Sequence, residues 1–110
     1  MAEELFRDLT PEQLRELIAQ GLVPRLIDVR TPEEFALCRL PGAELHPAAQ
    51  IAEWSKTFEP EKEILIYCHH GIRSLHAVMY LTARGFRRVM HLRGGLDAYS
   101  LRADSSVKRY

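Results

Sequence analysis

A mostly parallel β-sheet covered by helices on both faces, an α/β fold, is what this chain predicts. Three observations carry that expectation. Strand-like and helix-like stretches alternate along the chain, as parallel strands joined by helical crossovers require. Ile64-Leu65-Ile66-Tyr67 is an unbroken apolar run with two β-branched residues, the pattern of a strand buried on both faces. Helix starts recur in one form, at Thr10-Pro11 and Thr31-Pro32.

The bulk properties bound the possibilities. At 110 residues the chain reads as one small domain spanning 1–110, without internal repeat or low-complexity segment. Its 15 acidic and 15 basic residues cancel, so neither nucleic acid nor a membrane surface is expected as a partner. No apolar run approaches the roughly 20 residues that cross a bilayer. Met1-Ala2-Glu3-Glu4 is acidic and is followed by no apolar segment of signal-peptide type. With only two cysteines besides, a reducing, cytoplasmic setting is the expectation.

The first helix starts at Thr10, which can cap it; Pro11 suits the first helical position and Gln13 can close a capping box. Leu14, Leu17 and Ile18 share one face, and Gly21 fits just past the end. Arg25-Leu26-Ile27-Asp28-Val29 reads as a strand. Asp28, near its C-terminal end, either helps to hold the central loop or closes a turn in partnership with Arg30. A second short helix runs from Thr31-Pro32 to about Leu37. Glu44-Leu45-His46 reads as a short strand, and Pro47 to about Trp54 as a short helix with Ile51 and Trp54 inward. His46 has no neighbouring ligand types and is expected at the surface or in a hydrogen bond. A polar connector, Ser55 to Lys62, leads into the central strand.

That strand ends in Cys68-His69-His70-Gly71-Ile72-Arg73-Ser74, and a helix follows through Leu81. A helix starting after a tight loop leaves backbone N–H groups unpaired, and its dipole adds positive potential, so the loop is built to hold an anion. A cysteine facing such a cradle is favoured as thiolate, its reactive form. Gly71 permits the tight turn and Arg73 adds a fixed charge. In the following helix Leu75, Val78, Met79 and Thr82 lie at helical spacing, with Ala77 and Leu81 widening the apolar face. Arg88 to Leu92 forms the last strand; a final helix covers about Leu96 to Leu101, and the polar stretch 103–110 is expected to fray.

Tyr67 to Ser74 resembles the active-site loop of the single-domain rhodaneses, Cys-x-x-Gly-x-Arg-Ser. Leu26 to Phe35 resembles the family's first strand and following helix, Leu40-Pro41-Gly42-Ala43 its Pro-Gly turn, and Leu92 to Tyr99 its closing Gly-Gly helix. The match runs from about residue 10 to 100. It implies a three-layer fold around a mostly parallel sheet of about five strands. It implies sulfur transfer as well: the Cys68 thiolate takes the outer sulfur of an anionic donor such as thiosulfate. A thiol, cyanide or a protein acceptor then removes it from the persulfide. His69, His70, Gly71, Ile72, Arg73 and Ser74 would form the anion-binding loop, Arg73 holding the donor's oxygens, with Asp28 and Arg30 in support. No cofactor and no metal are implied.

Several readings compete at single residues. His69 and His70 either bind the donor and shuttle protons or, as favoured, point to solvent while the backbone forms the cradle. A metal site from Cys68, His69, His70 and His76 is disfavoured by adjacent ligands of poor spacing. Cys38 stands where the family has glycine, so the local turn is expected to differ. As a thiol, Cys38 is read as a gap-filler in preference to a residue resolving a Cys68 persulfide. Phosphatases and arsenate reductases of this fold place five residues between cysteine and arginine; only His69, His70, Gly71 and Ile72 intervene here. The shorter loop argues for a single sulfur, and retention of Cys68, Gly71 and Arg73 argues against a non-catalytic binding module.

Overall fold

The computed structural model describes residues 5–110, so the acidic start Met1–Glu4 lies outside it. Five strands form one sheet in the order β1-β5-β4-β2-β3, every pair parallel: β1 (Arg7–Leu9), β2 (Arg25–Asp28), β3 (Glu44–Leu45), β4 (Ile64–Tyr67) and β5 (Val89–Leu92). All four residues of β4 are buried. It is the middle strand, with Leu65 in register between Leu26 and Met90.

Alternation along β4 divides the core into two layers. Ile64, Ile66 and Cys68 face one cluster, filled by Trp54, Phe58 and the α4 (Ile72–Ala83) residues Ala77, Val78 and Leu81. Leu65 and Tyr67 face the other, filled by Leu14 of α1 (Pro11–Ala19) and by Leu96 and Tyr99 of α5 (Gly95–Arg102). Helices therefore lie on both sides of the sheet, and a short α3 (Ile51–Trp54) completes the first layer.

The two Thr-Pro starts form two capping boxes. Thr10 Oγ1 accepts from the Gln13 N–H while the Gln13 side chain accepts from the Thr10 N–H. Thr31 and Glu34 do the same for α2 (Pro32–Leu37). Each such cap stabilises its helix by about 1 kcal/mol.

The structure departs from, or adds to, the expectations at four places. Arg7–Leu9 forms a strand that the sequence pattern did not announce: three residues with two charges have no readable period, and pairing with β5 decides the matter. The buried stripe of α4 is Ser74-Ala77-Val78-Leu81, while Leu75 and Met79 are exposed. Cys38 has φ −168°, extended backbone open to any residue, so the absence of glycine there introduces no strain. The stretch 103–110 does not fray but folds back. Val107 is buried in the second layer, Ser100 Oγ donates to its carbonyl, and Arg109 pairs with Asp97 at 2.9 Å. One apolar side chain reaching a gap in the core outweighs the polar composition around it.

Candidate active site

Cys68 follows the last residue of β4, at the C-terminal edge of the sheet where open parallel folds assemble their sites. Its side chain is 1% exposed. Gly71, at φ +100°, turns the chain back at once into α4. That reversal aims the first free N–H groups of the helix at the sulfur. The Gly71 N–H donates to Sγ at 3.1 Å and the Ser74 N–H at 3.3 Å, with Ser74 Oγ 3.2 Å away.

A second helix start clamps the loop from behind. The Leu96 N–H donates to the Cys68 carbonyl at 2.8 Å, and the Asp97 N–H to that of His69 at 3.0 Å. The approach is so close that a Cβ on Gly95 would lie 2.4 Å from the His69 carbonyl oxygen and 2.6 Å from that of Cys68. Only glycine fits at that position.

The remaining loop residues are placed unequally. Ile72 is largely exposed and His70 stands at the rim, as expected of both histidines. His69 does not point to solvent. Its ring is held between His70, at 3.8 Å, and Tyr110, at 3.9 Å and nearly parallel. Burial and then the neighbouring His70 push its pKa below the ordinary histidine value, and its Nε2 is buried without a partner.

Arg73 does not reach over the sulfur as a free cation. Its two terminal nitrogens bind Glu34, at 2.6 and 3.0 Å, and the guanidinium stays part-exposed. Those bonds hold the Glu34 carboxyl well below the usual carboxylate range.

Asp28 and Arg30 form a wholly buried ion pair, Nη2 to Oδ2 at 2.6 Å, and Asp28 Oδ1 also accepts the Arg30 N–H. Asp28 is in register with Tyr67, so the pair sits beside the root of the Cys68 loop. Arg30 also donates to the Cys38 carbonyl and to the Tyr110 hydroxyl. Neither side chain of the pair contacts Sγ among the hydrogen bonds of the described residues.

The two cysteines belong to different layers, Cys68 to the first and Cys38 at the edge of the second. Among the described residues, the metal-ligand types that gather are His69, His70 and Asp97, within 4.8 Å, rather than the set with Cys68 and His76. Asp97 is already committed to Arg109, and three such donors leave a tetrahedral ion short of a ligand.

Four side chains that the sequence pattern did not single out complete the surroundings: Glu34, Tyr110, His91 and Asp8. Glu34, Tyr110 and His91 reach loop residues from elsewhere in the chain, and Asp8 reaches His91, so no local spacing could announce them.

Comparison with known proteins gives the setting. The family model for the rhodanese-like domain matches residues 10–102. The chain is 37% identical over 114 residues to the rhodanese-like/PpiC domain-containing protein 12, chloroplastic, of Arabidopsis thaliana; this covers 97% of the chain but 38% of that protein. It is 31% identical to the thiosulfate sulfurtransferase GlpE of Pseudoalteromonas translucida, over 94% of the chain and 98% of that enzyme. The crystal structure of a rhodanese-like domain protein from Staphylococcus aureus superposes with a TM-score of 0.80 at 28% identity, covering 94% of this chain and 98% of that one.

Proposed function

From the premise that the chain belongs to the rhodanese-like domain family, we propose that it is a sulfurtransferase working through a persulfide on Cys68. In the first half-reaction the Cys68 thiolate attacks the outer sulfur of thiosulfate or a similar anionic donor. The S–S bond forms as the donor's own sulfur–sulfur bond breaks, and sulfite leaves with that electron pair. In the second, a thiol, cyanide or a protein acceptor attacks the outer sulfur, and the Cys68 thiolate is released.

One observation carries this reading: the two backbone N–H groups on Sγ, from Gly71 and Ser74, form a preorganised cradle for a sulfur anion. A cradle of backbone donors needs no reorganisation when charge develops. Arg73 is part-exposed beside it; to grip donor oxygens it must yield some of its bonding to Glu34.

Intact mass of the reduced protein before and after thiosulfate tests the proposal. We expect a gain of one sulfur atom, removed by cyanide and absent in a folded Cys68→Ser variant. Equal sulfur uptake by that variant, or none by the parent protein from thiosulfate and other persulfide donors, would overturn it.

A further inference from the structure

The Cys68 sulfur is one end of a continuous line of side chains. Ser74 Oγ lies 3.2 Å from Sγ, and His91 Nε2 lies 2.8 Å from Ser74 Oγ. On the other side of the ring, Nδ1 is 3.1 Å from Asp8 Oδ1, and Arg93 Nε donates to Asp8 Oδ2 at 2.8 Å. Ser74 is fully buried and His91 is 5% exposed. The line runs from the loop through α4 to β5 and ends on the edge strand β1.

Its polarity can be worked out. An ionised carboxylate only accepts, so His91 Nδ1 is the donor to Asp8. A neutral ring then offers Nε2 as an acceptor, which the Ser74 hydroxyl fills. That leaves the Ser74 oxygen a free lone pair, 3.2 Å from the sulfur, for the thiol proton. Every link is thus oriented for proton flow in one direction, from sulfur to imidazole.

We propose that His91, oriented by Asp8, receives the Cys68 proton by way of Ser74. The S–H bond breaks as a new O–H bond forms on Ser74, whose own proton passes to His91 Nε2. A thiolate remains under the Gly71 and Ser74 N–H groups, opposite an imidazolium paired with Asp8. No electrons are exchanged, and the proton returns when a neutral thiol is re-formed. Ser74 touches the reacting atom, whereas His91 and Asp8 are positioning residues that act through it.

Other groups face His91 as well. A cleft of about 430 Å³ beside the ring is lined by Asp8, His70, His76 and Arg93. Asp8 and Arg93 oppose one another in charge, and Asp8 is the one that hydrogen-bonds the ring, at Nδ1. Phe6 packs edge-on against the ring at 6.1 Å and shields it on another side.

The inference deepens the sulfurtransferase reading and rests on it only for the use made of the thiolate. Its test therefore needs no sulfur donor. In a Cys38→Ser background, thiolate ultraviolet absorbance is titrated against pH, with Cys68→Ser subtracted to remove tyrosine ionisation. We expect His91→Gln and Ser74→Ala to move the profile to higher pH. The thiolate fraction near neutrality would fall about tenfold, which is one unit of displacement. Ser74→Thr, which keeps a hydroxyl, restores the parent profile. A purely structural role would lower thermal stability and leave the profile in place; an unmoved profile in folded His91→Gln overturns the inference. Should His91→Gln fail to fold, Asp8→Asn on the part-exposed edge strand gives the same reading, with a smaller displacement expected and none overturning. If the profile moves but thiosulfate loads no sulfur, the relay stands and the sulfurtransferase reading falls.

Discussion

Tyr110 lies flat on His69, ring centroids 3.9 Å apart and planes 11° from parallel, while its hydroxyl donates to Glu34 and accepts from Arg30. The end of the described chain therefore straps the loop that carries Cys68 to α2 and to the buried ion pair. Burial, set against the hydrogen bond from Arg30, leaves the phenol's pKa raised to about 12, so it remains a donor throughout the physiological range.

Removing the strap should expose the loop. In Tyr110→Ala we expect alkylation of Cys68 by iodoacetamide, followed by intact mass, to accelerate several-fold. The melting temperature should fall by about 4–8 °C, the effect of losing roughly 1 kcal/mol from a domain of this size. An unchanged alkylation rate would mean that Tyr110 does not limit access to the sulfur.

Gly95→Ala sets a Cβ against two carbonyl oxygens that cannot retreat without dragging Cys68 and His69 with them. The positive φ of +67° adds strain of its own. A loss of about 1–3 kcal/mol in denaturant unfolding is expected, the range for a residue forced into a special backbone conformation. Sulfur loading should fall further than stability alone explains, since the N–H groups on Sγ shift too. Parent-like loading in this variant would count against the rigid cradle.

Arg30→Met leaves the Asp28 carboxylate buried without its cation. Breaking a buried pair on one side costs about 3–5 kcal/mol, and here the Tyr110 and Cys38 contacts are lost with it. Denaturant unfolding should show that cost, and the double variant Asp28→Asn/Arg30→Met should recover much of it. No recovery would indicate that Arg30 acts through its other partners.

The Glu34–Arg73 pair predicts an acid limb. Bonds from Arg73, and secondarily from Tyr110, lower the Glu34 pKa in the folded state. A depressed carboxylate contributes stability above its unfolded value, about 4.3, and loses it as the pH falls through that value towards the folded one. Melting temperature should therefore decline on acidification below about pH 5, and less steeply in Glu34→Gln. The same variant releases Arg73, so KM for an anionic donor should fall. A raised KM would show that Glu34 presents the guanidinium rather than competing for it.

Cys38→Ser should leave thiosulfate turnover close to that of the parent, because the two thiols sit in different layers of the core. A large loss in steady-state assays would restore Cys38 as a persulfide partner.

What could be read from the chain was local. A buried strand, a glycine turn and a helix start within Ile64–Leu81 specify one another by hydrogen bonding along a few residues, and so do the capping box at Thr10 and the helix start at Thr31-Pro32. What could not be read depends on pairs far apart in sequence. Leu75 and Met79 follow the helical period, yet the sheet meets the face carrying Ser74. β1 is a strand only because β5 lies beside it. Glu34 closes the cap of α2, a local role, and its second role beside Arg73 is set by tertiary placement.

The pairing of β1 with β5 also orders events during synthesis. Asp8 and His91 are 83 residues apart, and the strands bearing them can join only after nearly all the chain between has been made. Such long-range closures come late in folding. In the relay proposed above, the Cys68 thiol leaves the ribosome 23 residues ahead of the His91 imidazole. A nascent chain, or one unpaired at β1, then holds Cys68 without the proposed proton acceptor oriented by Asp8, and activation of the thiol awaits the completed sheet.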